Sequence, residues 1–509
     1  MTFITIFSQR LQHKHVLRRP LWVILACSGL LLGFYSPLHA QPRSLSLDDA
    51  ISMALGRGEE ISLAKAGVRA AEGNVEIATS GMLPQIAASA NYTRLLKSQY
   101  GSTTTGTADT SAISKALNSL FKNFPFGKPN EWTLGLSASQ NVFTGGRLIA
   151  QRQAAEARKH SADIDLTAAE AQLVLNVTQS YYDAVLADTI VKISRDALAQ
   201  AEEVDRQTEL QYKVGEKAEF DALRTRVARD NQIPIVLQAE NDRSQAYYRL
   251  KQLLNLSLDD SLVLTTPVVD SLARFAMQSD SSTENRSSVV QASLNVDASQ
   301  AQIRVAKAYH WPQISLFSQY SPVAYPDNFF PNFNEWLTNW TAGVNISIPI
   351  YTGGNIGGNV DVAEAGADQA IARLEQAREA AAMDSRIAFD NLHAAQANLR
   401  STASTAAEAQ RAYEIASVRF SQGISTEVEL DDARLQEEQA RANWARAVRN
   451  YQVARAKLAL LKDLPVNPAQ ATVMQSTAQT AVTQQQASSP QQTFTAPASG
   501  ASPSGATGQ

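Results

Sequence analysis

An internal duplication constrains the fold of this chain more than any other feature of its sequence. Phe143-Thr144-Gly145-Gly146 recurs as Tyr351-Thr352-Gly353-Gly354, a displacement of 351 − 143 = 208 residues. The same displacement relates Tyr212-Lys213-Val214-Gly215 to Phe420-Ser421-Gln422-Gly423. An earlier pair, Leu83-Pro84-Gln85 and Trp311-Pro312-Gln313, is 311 − 83 = 228 residues apart. The chain therefore contains two repeats, and the 228 − 208 = 20 extra residues of the first repeat are expected in an exposed loop.

The duplication and the composition divide the chain into five segments. A basic stretch precedes an apolar run that ends at the small residue Ala40, which is typical of an export signal. The last 45 residues contain no Asp, Glu, Lys or Arg and are predicted to be disordered. The predicted segments are a signal peptide at 1–40, a first repeat at 41–256, a linker at 257–285, a second repeat at 286–464 and a low-complexity tail at 465–509.

The composition also excludes several functions. The chain has 45 Lys and Arg against 49 Asp and Glu, a net charge of −4 that argues against nucleic-acid binding. Its one cysteine, Cys27, lies in the predicted signal peptide; an alternative is that Cys27 is the lipidated first residue of a lipoprotein, although the bulky Leu25 argues against it. The three histidines of the mature chain, His160, His310 and His393, are far apart in sequence. We therefore predict no enzyme activity, no cofactor and no metal site.

Each repeat carries one pair of amphipathic strands. Leu134 and Leu136 alternate with Thr133 and Gly135, and comparable alternation predicts strands at 83–93 and 131–143, then at 312–321 and 339–351. The solvent face of a soluble sheet usually carries Lys and Glu, so a face of Thr, Ser, Gly and Asn favours a water-filled lumen and lipid on the aliphatic side. Aromatic residues near the strand ends are expected to form an interfacial girdle: Tyr92, Trp132, Phe143, Trp311, Tyr320, Trp336, Trp340 and Tyr351.

Each Thr-Gly-Gly motif is followed by a long helix that returns after a glycine turn. Residues 148–212 contain neither Gly nor Pro, and residues 360–422 contain only Gly366, so we predict helical hairpins at 148–255 and 356–462. A helix over 148–212 would extend on the order of 95 Å. An ordinary coiled coil would have the same local pattern.

Four strands cannot close a barrel in lipid, because an open sheet edge leaves backbone polar groups unpaired. The chain must therefore oligomerise, and two, three or four copies would supply eight, twelve or sixteen strands. Both hairpins leave the same end of the strand pairs, so a barrel of strands would continue into a tube of helices. Such an assembly is a conduit.

The order and duplication of these motifs resemble the TolC-like outer-membrane factors (outer membrane efflux proteins) of Gram-negative tripartite efflux and type I secretion systems. The resemblance covers about residues 45–464 and includes Ser46-Leu47-Asp48-Asp49-Ala50-Ile51, the Pro-Gln and Thr-Gly-Gly motifs and both glycine tips. It implies an α+β membrane protein of the outer membrane. The implied form is a homotrimer with a twelve-stranded transmembrane β-barrel, continued by a periplasmic α-helical barrel of long antiparallel coiled-coil hairpins. A periplasmic adaptor, an inner-membrane transporter and outer-membrane lipid are the implied partners of this passive channel.

The resemblance also implies the position of a gate. Matched outward from the tip glycines, the lumen-facing acids of the family correspond to Asp221, Glu429 and Asp432, which in three copies would repel one another and attract cations. Surface carboxylates near a helix start are the alternative interpretation. The implied roles of the other matched residues are adaptor docking at the hairpin tips, by Gly215, Gly423, Tyr212 and Phe420, and a strand-to-helix junction at Gly145, Gly146, Gly353 and Gly354.

One departure concerns how the gate is held closed. Where relatives carry Tyr and Arg in contacts that latch the second tip, this chain has Phe420 and Ser425. The closed state is then weaker or held elsewhere, with Lys217 and Arg224 as candidates.

Two other classes of protein remain as alternatives. A periplasmic adaptor would normally have one helical hairpin and a lipoyl-like β segment, and a coiled-coil surface protein would have one continuous heptad pattern. Duplicated hairpins and amphipathic strands argue against both. The sequence leaves open the exported substrate and the class of transporter.

Overall fold

The computed structural model describes residues 43–97, 128–265 and 283–466. The predicted signal peptide with Cys27, most of the predicted tail, part of the linker and the long loop of the first repeat lie outside the described residues. No helix in the described ranges combines the length and apolarity needed to span a membrane.

The described chain forms seven α-helices and eight strands. The helices are α1 (Leu47–Arg57), α2 (Glu59–Ser80), α3 (Arg147–Lys213), α4 (Glu219–Leu253), α5 (Ser287–Ala308), α6 (Asn355–Ser421) and α7 (Glu427–Ala459). The strands are β1 (Arg43–Leu45), β2 (Gln85–Arg94), β3 (Asn130–Phe143), β4 (Leu262–Leu264), β5 (Gln313–Tyr320), β6 (Val323–Ala324), β7 (Trp336–Leu337) and β8 (Trp340–Ser347). Short 3-10 helices lie at Thr283–Asn285 and Phe333–Glu335.

The duplication is preserved in three dimensions. α3 and α6 are each 67 residues long, and both begin after a left-handed glycine, Gly146 or Gly354. α3 packs against α4 and α7, while α6 packs against α7 and α5. The four longest helices therefore lie side by side in one row, in the order α4, α3, α7, α6.

The long strands form one antiparallel sheet in the order β2-β3-β5-β8. One row across the sheet pairs Leu136 with Ala88 and Tyr320, and Tyr320 with Trp340. Residues paired across strands lie on the same face, so most aliphatic side chains share one face and most small polar ones the other. The exceptions are Phe317 on the polar face and Gln140 and Ser318 on the aliphatic face. β3 continues past the end of β5, and the β6–β7 hairpin pairs with that extension at Trp132 and Thr133.

The strand predicted at 339–351 is wrong at its end, because β8 stops at Ser347. Ser347 pairs with Gln313, the first residue of β5, and neither Pro312 nor Pro349 has an N–H to extend the pairing beyond this point. The other three predicted strands agree with β2, β3 and β5 to within two residues.

A small core below the sheet was not predicted. β1 pairs in parallel with β4, which lies inside the predicted linker. α1 begins at the expected cap, where the Ser46 hydroxyl accepts a hydrogen bond from the Asp49 N–H at 3.1 Å. The buried Tyr181 hydroxyl of α3 donates to the Leu45 carbonyl at 3.0 Å, so this core fastens the N-terminal strand to the first hairpin.

The strand-to-helix junctions have matching backbones and different surroundings. Gly145 and Gly353 have φ angles of 61° and 60°. A Cβ on Gly145 would lie 2.6 Å from the Cβ of Trp311 and 2.8 Å from the Ala308 carbonyl oxygen, whereas a Cβ on Gly353 would meet nothing within 4 Å. Only at Gly145 is there therefore no room for a side chain.

We expect Gly145→Ala to destabilise the protein more than Gly353→Ala. Both substitutions place an alanine in a left-handed conformation at a cost of about 1–2 kcal/mol, and only the first adds a steric clash. Thermal unfolding of the purified variants, followed by circular dichroism, measures the difference. Equal unfolding temperatures would contradict the role assigned to the contact with Trp311.

Candidate functional site: the tips of the helical hairpins

Both hairpin tips are closed by the same backbone hydrogen bonds. The Glu216 N–H donates to the Gln211 carbonyl, and the Ile424 N–H donates to the Arg419 carbonyl, each at 2.9 Å. Gly215 and Gly423 supply the left-handed residue of the turn, with φ angles of 80° and 72°. This motif satisfies carbonyls at the ends of α3 and α6, so the tips are compact.

The returning helices start with acidic residues. Glu219 and Asp221 lie in the first turn of α4, and Glu427 and Glu429 lie in that of α7. The Thr426 hydroxyl accepts a hydrogen bond from the Glu429 N–H at 3.4 Å and caps α7. Carboxylates at these positions interact favourably with the positive end of the helix dipole.

The three acids predicted for the gate have different environments. Asp221 is half-buried, whereas Glu429 and Asp432 are exposed. Glu429 and Asp432 are three residues apart on α7 and lie on one face of it. A guanidinium nitrogen of Arg419 lies 4.0 Å from a Glu429 carboxylate oxygen, both side chains being exposed.

Glu427 is a fourth acid at the tips, and no sequence pattern distinguishes it from the others. Its side chain is only 10% exposed and lies 3.9 Å from the Arg224 guanidinium of α4. Burial raises the pKa of Glu427 above its ordinary value; Arg224 and Lys217 oppose the increase, while Asp431 and Asp221 add to it. The Glu427 Oε1 atom has no hydrogen-bond partner among the described residues. Ordinary acids at helix starts have the same sequence signal, so burial alone distinguishes Glu427.

Both candidate cations contact the second hairpin. The Lys217 ammonium lies 5.7 Å from the ring centroid of Phe420, and Arg224 pairs with Glu427. An ammonium over an aromatic face is an attractive contact that needs no phenolic hydroxyl. The two tips of one chain are therefore in contact through Lys217 and Arg224.

Further ion pairs hold the two hairpins side by side above the tips. Arg441 of α7 lies 2.9 Å from Asp196 of α3 and 3.5 Å from the buried Glu437. Arg449 of α7 donates to Asp183 of α3 at 2.7 Å. These contacts fix α3 against α7, so α4 and α6 form the sides of the four-helix row.

The sheet and the row of four helices both have outer edges that lack a neighbour within the described part of the chain. Among the described residues, β2 pairs only with β3, and β8 pairs only with β5. In the helical part, large apolar side chains are exposed on the two side helices: Phe220, Leu223 and Val227 on α4, and Ile415 and Val418 on α6. A chain with these edges is suited to side-by-side assembly.

Comparisons with known proteins agree with this architecture. Residues 50–256 and 279–462 match the family model of the outer membrane efflux protein. The outer membrane protein TolC of Vibrio cholerae is 25% identical over 330 residues, 62% of this chain and 73% of that protein. The pyoverdine export outer membrane protein OpmQ of Pseudomonas aeruginosa is 25% identical over 389 residues, 75% and 77% of the two chains.

Solved structures have the same fold. The CmeC outer membrane channel of Campylobacter jejuni has a TM-score of 0.67 at 18% identity and covers 84% of this chain and 89% of its own. The MtrE outer membrane channel of Neisseria gonorrhoeae has a TM-score of 0.64 at 19% identity, covering 83% and 90%. The predicted fold class, strands of a barrel continued by long helical hairpins, is confirmed. The chain belongs to the outer membrane efflux protein family, whose place is the outer membrane of Gram-negative cells.

Proposed function

We propose that three copies of this chain form one continuous conduit through the outer membrane and into the periplasm. The conduit is the channel component of a tripartite efflux system, joined by a periplasmic adaptor to an inner-membrane transporter. The observation that supports this most is the four-stranded sheet with one aliphatic face and two unpaired edges, β2 and β8. In lipid, those edges require partners from other copies.

The direction of the strands allows the copies to pair. Neighbouring strands are antiparallel throughout β2-β3-β5-β8, so β2 and β8 run in opposite directions. The β8 edge of one copy can therefore pair antiparallel with the β2 edge of the next. Three copies then give a closed barrel of twelve strands, within the range of known barrels. Around the helical tube, α4 of one copy would cover the exposed apolar residues of α6 in the next.

We assign the periplasmic gate to the hairpin tips. Asp221, Glu429 and Asp432, present three times each, form an acidic entrance that attracts cations and whose repulsion is relieved on opening. The Arg224–Glu427 and Lys217–Phe420 contacts hold the two tips of each copy together. The tip turns with Gly215 and Gly423, and the adjoining Tyr212 and Phe420, are the docking surface for the adaptor.

We expect the inner-membrane transporter, rather than this channel, to determine which substrate is exported. OpmQ is named for pyoverdine export, and CusC of Escherichia coli, 25% identical over 248 residues, for cation efflux. We therefore propose small-molecule efflux as the function and protein export by type I secretion as the second candidate. A non-channel coiled-coil protein is disfavoured, because it would have no use for an aliphatic strand face.

The gate assignment predicts a change in ion selectivity. Glu429→Ala combined with Asp432→Ala should reduce the preference for cations, because six carboxylates leave the trimeric entrance. Reversal potentials under a salt gradient in planar bilayers measure this preference. Asp361→Ala is the control, since Asp361 is an exposed acid at the far end of α6. Unchanged reversal potentials for the double variant would refute the assignment.

Glu427 predicts a pH-dependent gate. A raised pKa means that the desolvation cost of the buried Glu427 carboxylate outweighs its attraction to Arg224 and Lys217. Protonation therefore favours the tip with Glu427 buried over a tip with Glu427 in water, increasingly as the pH falls through the raised pKa towards 4.5, and this preference is lost as the pH rises. Bilayer conductance should therefore decrease on acidification above pH 4.5 in the wild-type channel. Glu427→Gln should abolish the step, because it mimics the protonated acid, whereas Glu429→Gln should retain it. A step that persists in Glu427→Gln would assign the titration to another group.

A further inference from the structure

We propose that residues 326–333, which join β6 to β7, form a lipid anchor at the outer boundary of the membrane. Phe329, Phe330 and Phe333 of this segment would insert among the lipids of the outer leaflet. The inference rests on the proposed barrel, since it needs the aliphatic strand face to meet lipid. It does not follow from the period-two pattern of the strands, because the segment lies beyond them.

The segment lies against the lipid side of the sheet. Tyr92 pairs with Trp132 in the β2–β3 register, in the same alternating row as Leu134 and Leu136. Their rings are 5.0 Å apart and lie at the end of the sheet opposite the helices. The Phe329 ring lies 4.9 Å from Tyr92 and 5.8 Å from Trp132, and Phe330 stacks on Trp132 at 5.9 Å. The four rings therefore extend the lipid face and do not cover the lumen.

Polar contacts fix the segment in this position. The side-chain amide of the buried Asn130 donates to the carbonyls of Pro326, Asp327 and Asn328 at 3.3, 3.2 and 3.1 Å. The Trp132 indole N–H donates to the Phe329 carbonyl at 2.7 Å. These hydrogen bonds hold the backbone carbonyls of four successive residues, 326–329. They therefore fix the backbone from which the exposed side chains of Phe329 and Phe330 extend.

The presented surface is apolar with a polar border. Phe329, Phe330 and Phe333 are 52%, 70% and 98% exposed. Lys128 and Asp327 form an ion pair at 3.3 Å beside them, and Asn332 and Glu335 form a capping box around the 3-10 helix that starts at Phe333. Apolar rings bordered by charged and amide groups match the boundary between acyl chains and headgroups.

The height of the segment also matches this boundary. From Phe143 to Trp132 is 143 − 132 = 11 residues of β3, about 36 Å along a strand and about 28 Å across a membrane at a tilt of about 40°. That is close to the hydrocarbon thickness of a bilayer, about 30 Å. If Phe143 lies at the inner boundary, Trp132 and the rings packed on it lie at the outer one.

Spin labels in liposomes test the inference. The full channel, with Phe330→Cys or Phe333→Cys, is labelled with a nitroxide, and its accessibility to oxygen and to a water-soluble nickel chelate is measured by electron paramagnetic resonance. Labels in lipid meet oxygen and exclude nickel. Thr341→Cys on the small polar face of β8 and Val344→Cys on its aliphatic face are the matched controls.

The expected result is that labels at 330 and 333 behave like the label at 344, with nickel accessibility several-fold below that at 341. Labels at 330 and 333 as accessible to nickel as the label at 341 would overturn the anchor and place the segment in water. Labels shielded from both reagents would also overturn it, because they indicate contact with a neighbouring copy. If oxygen does not reach the label at 344, the aliphatic strand face is not in lipid and the proposed barrel is wrong. If oxygen does reach it, the results at 330 and 333 test the anchor alone.

Discussion

The need to pair backbone groups in lipid governs this structure. β2 and β8 each present an unpaired row of N–H and C=O groups, and a hydrocarbon environment offers nothing that can satisfy them. The sheet can therefore enter a membrane only when other copies complete it. The rest of the chain is consistent with that requirement: the strands alternate in direction, and the side helices α4 and α6 present exposed apolar residues. Assembly is therefore a condition for the proposed barrel to enter lipid.

The duplication explains why the two hairpins end together. α3 and α6 have equal length and start from glycine pairs with nearly equal φ angles, so their tips lie at the same level. The repeats then differ where they touch. Lys217 and Arg224 of the first hairpin meet Phe420 and Glu427 of the second, a contact of cations with a ring and a buried acid. The equal lengths of α3 and α6 bring the two tips to the same level, and contacts between different side chains hold the tips together.

Most of the fold could be predicted from local patterns, whereas the chemistry of the tips could not. Period-two alternation identified β2, β3 and β5, and the displacement of 208 residues identified both tip glycines. β8 was predicted too long although Pro349 carried the signal, and β1 and β4 are too short for any period to be visible. The pKa of Glu427 depends on its burial and on the charges of Arg224 and Lys217, 203 and 210 residues away in the chain, which no local pattern records. The roles of Asp221, Glu429 and Asp432 remain predictions.

Disulfide trapping across the sheet edges tests the central claim most directly. In a chain with Cys27→Ser, one cysteine is placed on β2 at Ala87, Ser89 or Asn91 and a second on β8 at Asn345, and the membranes are oxidised. If copies complete one another's sheets, at least one pair yields covalent species of up to three chains on a non-reducing gel. A single-chain species with an internal disulfide, showing that each copy closes its own sheet, would contradict the account, and so would the absence of any cross-link at all three positions.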